Sequence, residues 1–306
     1  MKKLLLAATM LAASAQLHAA PAAALPDADP ALWVVKDADT TVYLFGTVHG
    51  LDGQTDWFND EVKVAYQKSG EVVVEAIVPE DPAAMQPLVM KYGVDQSGRT
   101  LRSKLAPDVR AEYEKVIAEL GMPAPALDVF EPWMANLTLA AGLGTKIGLK
   151  PEHGADMVIK RAAKQDGKPV SELEGAEWQL SLFDKMPEAQ QLRHLEISLK
   201  QFPEAKPMLQ QMVAAWNTGE VDKLDAVINR GLKDTPDLRQ VLLADRNENW
   251  AKWIKARLDK PGAVFMAVGA GHLTGHDSVQ AKLAKHGLKA ERVPADYGAG
   301  SGRTAP

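Results

Sequence analysis

The hydrophobic pattern predicts two buried strands near opposite ends of the chain, and the same short motif follows each of them. Residues 41–45 form a β-branched and aromatic run, and residues 263–268 form a second apolar run. Both compositions are typical of buried strands. A Gly-x-x-His motif follows each run, so each predicted strand would bring a histidine to its carboxyl end. The two motifs run from Gly46 to His49 and from Gly269 to His272.

Further strands and a long helical middle complete the predicted order of elements. Residues 32–36 predict a strand that forms an antiparallel hairpin with the run at 41–45. The other predicted strands are 71–78, 169–174 and 290–293. Helical spacing predicts single helices over 57–68, 107–120, 132–143 and 155–165. A longer helical region follows from 177 to 258, with boundaries expected at Pro187, Pro203, Gly219 and 234–236. A last helix is predicted over 278–286.

This distribution predicts an α/β fold, because the strands cluster at the two ends of the chain and the helices lie between them. We expect a central mixed sheet in which the N- and C-terminal strands are adjacent. The helical insertions would form a cap over the face of the sheet at which a ligand binds.

The N-terminus, over residues 1–22, has the pattern of a secretory signal peptide. Lys2 and Lys3 precede an apolar stretch at 4–13, and small residues follow it. The apolar stretch is too short to span a membrane, and no run of about 20 apolar residues occurs later in the chain. We therefore expect a periplasmic or secreted protein with no membrane span after cleavage of the signal peptide.

Composition adds limits on partners. The chain is 46% hydrophobic and 25% charged, which is ordinary for a globular protein, and we expect one α/β domain over 30–295 and a disordered tail at 296–306. With no cysteine, it has no disulfide and no lipidation site. Loss of Lys2 and Lys3 with the leader changes the net charge from −5 to −7. An acidic chain without a basic run is not expected to bind nucleic acid, so the expected partner is a peptide or a small-molecule substrate.

The two motif histidines are candidates for a metal site. In open α/β sheets the ligand lies beyond the carboxyl ends of the strands, and the glycine in each motif lets the backbone approach closely. Two imidazoles at one sheet edge, His49 and His272, favour a divalent metal such as Mn²⁺, Co²⁺, Zn²⁺ or Fe²⁺. The alternative is that each histidine only forms a hydrogen bond to a loop.

A third functional group is expected from acidic and basic residues near the strand ends. Glu75 interrupts an apolar strand near its carboxyl end, where a buried carboxylate is costly unless it is paired, metal-bound or used in chemistry. Glu174 has the same placement after a later strand, although the alternative of a solvated edge is stronger here than for Glu75, since Glu172 and Glu177 are close in the sequence. Either can serve as a metal ligand or as the general base that activates water. Arg246, expected just before the helix that contains Trp250, could clamp a carboxylate, steady an oxyanion or belong to a surface charge cluster.

Together with their surroundings, these motifs resemble the TraB/GumN family of bacterial proteins, relatives of the TIKI metalloproteases and the pheromone-shutdown proteins. The matching pieces include Leu32–Val35, Tyr43–His49, Val73–Glu75, Gly167–Val170, Leu173–Glu174, Leu182–Asp184, Arg246–Asn247 with Trp250, and Val268–Leu273. The resemblance implies an α/β fold similar to that of erythromycin-esterase and haem-binding ChaN-like proteins. It also implies a metal-dependent hydrolase site, in which the residues would be His49, His272 and Glu75, with Gly46 and Gly269 in the turns and Arg246 nearby.

Three functions stay open on the sequence alone. The first is a periplasmic metal-dependent hydrolase, a peptidase by preference, in which His49 and His272 hold the metal and Glu75 is the third ligand or the general base. The second is a metal-free, esterase-like hydrolase in which a histidine activates water with help from Glu75. The third is a protein that captures haem, a peptide or a metal without turnover.

Overall fold

A computed structural model describes residues 24–79 and 81–295, and in that part of the chain six strands form one open mixed sheet. The strands are β1 (Leu32–Lys36), β2 (Thr40–Thr47), β3 (Glu71–Val74), β4 (Val170–Glu172), β5 (Gly262–Gly269) and β6 (Glu291–Arg292). Their order across the sheet is β4-β3-β5-β2-β1-β6. The predicted leader at 1–22 and the predicted tail at 296–306 lie outside the described residues.

The centre of the sheet joins the two ends of the chain, as the sequence predicts. β2 and β5 pair in parallel along their whole length, from Thr40 opposite Gly262 to Thr47 opposite Gly269. β3 pairs in parallel with the other side of β5, and β4 pairs in parallel with β3. β1 forms the predicted antiparallel hairpin with β2, and β6 is antiparallel to β1. Four neighbouring parallel strands therefore end at one edge of the sheet.

Helices fill the intervals between the strands and confirm the predicted α/β class. They are α1 (Asp60–Lys68), α2 (Gln86–Leu88), α3 (Leu101–Lys104), α4 (Pro107–Glu119), α5 (Pro132–Lys146), α6 (Ala155–Gln165), α7 (Ala176–Asp184), α8 (Glu188–Asn217), α9 (Val221–Leu232), α10 (Pro236–Arg239), α11 (Asp245–Arg257) and α12 (Val279–Lys285). A short 3₁₀ turn, Ala270–Leu273, follows β5. None of the helices in the described part of the chain combines the length and the apolar character needed to cross a bilayer.

Several element boundaries differ from the prediction, and packing explains those of α1 and α8. α1 begins at Asp60 rather than at 57, because the ring of Trp57 stacks on Phe45 at a centroid distance of 5.6 Å and packs there as part of a loop. The strand predicted over 71–78 pairs with its neighbours only as far as Val74. α8 continues through Pro203, where a boundary was expected, and its apolar face packs in a core shared with α4 and α5.

Three hydrophobic cores hold the elements together. On one face of the sheet, Phe45 and Phe265 pack with Trp216 of α8. On the other face, Met266 of β5 packs in a core with Trp250 of α11. The third core lies among α4, α5 and α8, away from the sheet. Of these three helices, α5 and α8 also contribute residues beside the sheet edge at which the parallel strands end.

Candidate functional site

Four side chains that can hold or move a proton follow the four parallel strands at one edge of the sheet. Glu174 follows β4, Glu75 follows β3, His272 follows β5 and His49 follows β2. Glu75, His272 and His49 line a cleft with a volume of about 660 Å³, and Arg246 of α11 lines it with them. The four residues predicted from the sequence thus lie at the same edge of the sheet. Each of them has different hydrogen-bond partners.

Arg246 is the hub of a buried network. It lies inside α11 rather than before it, and its side chain is 9% exposed. Its Nη2 donates to Glu75 Oε2 at 2.6 Å and to Glu174 Oε2 at 2.8 Å, and its Nε donates to Glu174 Oε1 at 3.0 Å. Its Nη1 donates to the carbonyl oxygen of Leu242 at 3.0 Å and lies 3.1 Å from His272 Nε2. A guanidinium has five N–H groups, and these contacts use all of them. In this arrangement Arg246 positions its neighbours and has no N–H left for a substrate.

Glu174 lies behind Arg246. Its side chain is 8% exposed, and it does not line the cleft. Besides Arg246, its carboxylate accepts the indole N–H of Trp250 at 2.9 Å and an amide N–H of Gln179 at 3.0 Å. Trp250 stands one helical turn after Arg246, so both side chains share a face of α11. Glu174 is therefore placed to hold Arg246, whereas Glu75 faces the cleft.

Glu75 is an ionised carboxylate bordering the cleft. Its Oε1 accepts the backbone N–H of Gly269 at 2.5 Å, and its Oε2 accepts from Arg246 and, at 3.2 Å, from Gln179. Burial alone would raise the pKa of Glu75, but the surrounding positive charge and the Gly269 N–H outweigh burial and lower the pKa to about 2. A carboxyl group with this pKa stays charged at neutral pH.

His272 is held as a neutral imidazole with one defined tautomer. The amide nitrogen of Asn247 donates to the carbonyl oxygen of Asp277 at 2.8 Å, so the Asn247 amide oxygen is the group that faces the ring. That oxygen accepts the Nδ1–H of His272 at 2.5 Å. Nε2 therefore carries the lone pair, which accepts from Arg246. Burial lowers the pKa of His272 to about 3, in agreement with a neutral ring.

His49 is in the opposite situation. Its side chain is 79% exposed, and its Nδ1 lies 3.5 Å from Asp156 Oδ1 at the start of α6. Within the described chain, Asp156 Oδ1 is buried and has no hydrogen-bond partner, so its lone pairs are open to the His49 N–H. The interaction with Asp156 raises the pKa of His49. The charge of Glu75 raises it further.

Two glycines set the backbone spacing around His49. A Cβ on Gly154 would lie 2.3 Å from the carbonyl oxygen of His49, so only glycine fits where the loop before α6 crosses the first motif. The next residue, Ala155, donates its N–H to the carbonyl oxygen of Val48 at 2.9 Å. A Cβ on Gly46 would lie 3.0 Å from the Cα of Ala270. The glycine therefore lets the turn of the first motif pack directly against the turn of the second. These contacts fix Asp156 beside His49 and the two motifs beside each other.

The residues in this arrangement do not fit a divalent metal. In the described part of the chain, the ligand atoms of His49, His272 and Glu75 do not all lie within 4.8 Å of one another. Glu75 Oε1 and His272 Nε2 are 3.8 Å apart, but the Nε2 lone pair is already paired with the Arg246 guanidinium. A metal ion bound to His272 Nε2 would have to displace the hydrogen bond that the Arg246 guanidinium donates to this nitrogen. The metal predicted from the sequence therefore stays a prediction.

Comparison with known proteins gives the chain a family. The model of the TraB/PrgY/gumN family matches residues 31–292. The chain belongs to the TraB/PrgY/gumN family. The predicted resemblance is thereby confirmed, and the match covers both Gly-x-x-His motifs, Glu75 and Arg246.

Relatives of this TraB/PrgY/gumN protein include two bacterial proteins named YbaP, both described as uncharacterized. The one from Escherichia coli K12 is 27% identical over 257 residues, which are 83% of this chain and 92% of the relative. The one from Shigella flexneri is 31% identical over 184 residues, which are 60% of this chain and 67% of the relative. No solved structure matches the chain.

Sequence reasoning missed the residues that set the state of the two histidines. Asn247 fixes the tautomer of His272, and its position beside Arg246 in one helix was the available signal. Gln179 bridges the two carboxylates, and Asp156 faces His49, but neither stands in a recognisable pattern in the sequence. Both lie in helices that only the folded chain brings to the strand ends.

Proposed function

We propose that this TraB/PrgY/gumN protein is a hydrolase of ester or amide bonds in which His49 is the general base and no metal is required. The observation that carries the proposal is the position of His49, exposed in the cleft with its Nδ1 3.5 Å from a buried Asp156 oxygen that has no hydrogen-bond partner in the described chain. A base held by a second group that sets its tautomer is the arrangement general-base catalysis needs.

In the proposed reaction, water in the cleft attacks the carbonyl carbon of the substrate. The Nδ1–H of His49 faces Asp156, so Nε2 accepts a proton from the attacking water as the C–O bond forms. The same proton then passes from Nε2 to the leaving alcohol or amine as the scissile bond breaks. His49 returns to its neutral form, and the products are a carboxylic acid and an alcohol or an amine.

The buried network supports this base by electrostatics. Protonation of His49 creates a positive charge in the cleft, and the charge of Glu75 raises the pKa of His49 and so stabilises that charge. Glu75 can do this because Arg246 and Gly269 keep it ionised. His272, neutral and buried, adds no competing charge at neutral pH.

The place of action is part of the same proposal. The signal-peptide pattern in the sequence supports action in the periplasm or outside the cell on a peptide or small-molecule substrate.

The test is turnover of a panel of p-nitrophenyl esters and chromogenic peptides by the purified protein, with bound metal measured by mass spectrometry. His49→Gln should lower kcat by about 10²- to 10⁴-fold, because it removes the proton acceptor. The matched control is His276→Gln, at a histidine that is 78% exposed and lies outside the cleft, and it should leave kcat unchanged. Turnover should survive a chelator.

Two results would overturn parts of the proposal. Turnover that a chelator abolishes and Mn²⁺, Co²⁺ or Zn²⁺ restores would establish the metal-dependent hydrolase predicted from the sequence. Absence of turnover across the panel would remove the hydrolase proposal. A Soret band on haem titration would then support ligand capture.

A further inference from the structure

A second cavity lies among the helices beside the cleft. Its walls are α5, α8 and α9, and its volume is about 380 Å³. An apolar cavity of about 150 Å³ lined by Leu, Ile and Phe stays dry and binds benzene. This cavity is more than twice as large, so it has room for an apolar group well beyond one ring.

The lining of the cavity is apolar. Of the described residues that form it, none carries a charge, and Asn136, Ser198 and Gln201 are the polar ones. One aromatic ring, that of Phe202, contributes, and the remaining apolar surface is aliphatic or thioether. Such a wall offers dispersion contacts to a hydrocarbon and leaves any charged group without a partner.

Two methionines give this wall its adaptability. Met208 and Met212 of α8 face the cavity, and unbranched thioether side chains fill irregular space and adjust to a flexible ligand. A Cβ on Gly231 of α9 would lie 3.4 Å from the Met208 methyl group, so the absence of a side chain there leaves room for Met208.

The cavity adjoins the candidate site. Ala140, Leu209, Met212 and Ile228 line both the apolar cavity and the cleft that contains His49 and Glu75. A molecule whose polar end lies at the strand ends can therefore extend an apolar part past these shared residues. The polar groups of the cleft gather at the strand ends, and the helices supply the hydrocarbon surface.

We propose that the substrate is an acyl ester or amide with a long unbranched aliphatic chain, and that this chain binds in the apolar cavity while the carbonyl group lies beside His49. This inference rests on the proposed hydrolase function. It names the substrate class of that site: an amphiphile with one hydrocarbon tail.

The experiment measures hydrolysis of p-nitrophenyl acetate, octanoate and palmitate and, separately, the binding of the fluorescent fatty acid cis-parinaric acid. kcat/KM should rise with chain length by up to roughly fourfold per methylene until the cavity is filled. Ala205→Phe places a ring in the cavity, and Ala140→Phe narrows the passage from the exposed face of α5. Ala205→Phe should lower kcat/KM for the octanoate by about tenfold and leave the acetate unchanged. Ala140 also lines the cleft, so Ala140→Phe should lower kcat/KM for the octanoate more than for the acetate. Ala214→Phe, at an exposed residue of α8 outside both cavities, is the control and should change neither.

The outcomes separate the two proposals. Binding of the fluorescent fatty acid, weakened by Ala205→Phe and Ala140→Phe, without turnover of any ester would support the inferred tail site and remove the hydrolase. Hydrolysis that is independent of chain length, or variants that slow the acetate and the octanoate equally, would overturn the tail site and leave the hydrolase. If Ala205→Phe does not fold, the exposed Ala140→Phe variant keeps the comparison decisive.

Discussion

His49 and His272 follow neighbouring parallel strands in the same short motif, yet their surroundings are opposite. His272 is buried, neutral and joined to Asn247 and Arg246, and its pKa is lowered to about 3. His49 is exposed, and Asp156 raises its pKa. The strand and the Gly-x-x-His motif determine the position of each histidine at the edge of the sheet. The protonation state depends on the helices that pack beside it, which are α11 for His272 and α6 for His49.

The largest effect expected from this contrast is on the free energy of unfolding, through the buried network around Arg246 and His272. Arg246→Met removes the cation shared by Glu75 and Glu174, whose side chains are 17% and 8% exposed. Breaking a buried ion pair by removing one partner leaves an uncompensated charge, so the free energy of unfolding should fall by about 3–5 kcal/mol. Urea denaturation followed by circular dichroism measures this change.

Two control variants are compared with Arg246→Met in the same denaturation experiment. Arg257→Met, on the same helix, breaks a pair with the more exposed Glu71 and should lower the free energy of unfolding by about 1 kcal/mol or less. His49→Gln should change it by less than about 0.5 kcal/mol, because the side chain is exposed. A loss for Arg246→Met no larger than that for Arg257→Met would mean that the buried network does not stabilise the fold.

A smaller effect is expected in the pH dependence of stability. In the unfolded chain His272 takes up a proton below about 6.5, whereas in the folded protein it does so only near 3. The unfolded state therefore binds more protons between these values, and the His272 contribution to stability falls as the pH falls. Glu75 acts in the same direction, but only between about 4.5 and 2. The interval from pH 6.5 to 4.5 isolates His272 from Glu75.

The measurement compares free energies of unfolding at pH 6.5 and 4.5. Glu61, whose pKa is raised to about 7, acts in the opposite direction over this interval, so the quantity to use is the difference between variant and parent. His272→Gln should lose less stability on acidification than the parent protein. His49→Gln should keep the parental slope here, because its raised pKa contributes stability that is lost only as the pH rises above 6.5. Equal slopes for His272→Gln and the parent would exclude a buried neutral His272.

The smallest effect is expected on the pH profile of turnover. Asp156→Asn removes the charge that raises the pKa of His49, so His49 should lose its proton at a lower pH. Since the base acts in its neutral form, the acidic limb of the kcat/KM profile should move to lower pH. The control is Asp52→Asn, which changes an exposed carboxylate in the loop that contains His49. It should leave the acidic limb of the kcat/KM profile in place. An unmoved limb in Asp156→Asn would show that Asp156 does not set the protonation of His49.

Much of the fold followed from the sequence because its signals are local. The apolar runs at 41–45 and 263–268 predict strands, and residues 155–165 predict α6 with the bounds that the structure has. The strand–glycine–histidine spacing also places His49 and His272 at strand ends. The continuation of α8 through Pro203 could not be predicted, because tertiary packing of Leu199 and its neighbours overrides the local cost of proline.

The contacts of the candidate site could not be predicted from the sequence. Asp156 and Gln179 reach it from α6 and α7, and neither has a spacing that relates it to a motif. The local pattern also placed Arg246 before a helix, whereas it lies within α11 and points from there to two carboxylates. Which groups share a proton or a charge depends on distances between elements that are far apart in the chain.

The pairing of β2 with β5 has a consequence for folding kinetics. Thr40 lies opposite Gly262 and Thr47 opposite Gly269, so the central ladder joins partners from opposite ends of the chain. Until β5 has been synthesised, β2 can pair only with β1, and the backbone N–H and C=O groups of its other edge have no native partner. Pairings of such long sequence separation form slowly and leave a strand edge open to association with other chains. A chain that ends before residue 262 would keep His49 and Glu75 but would have no strand to hold them together.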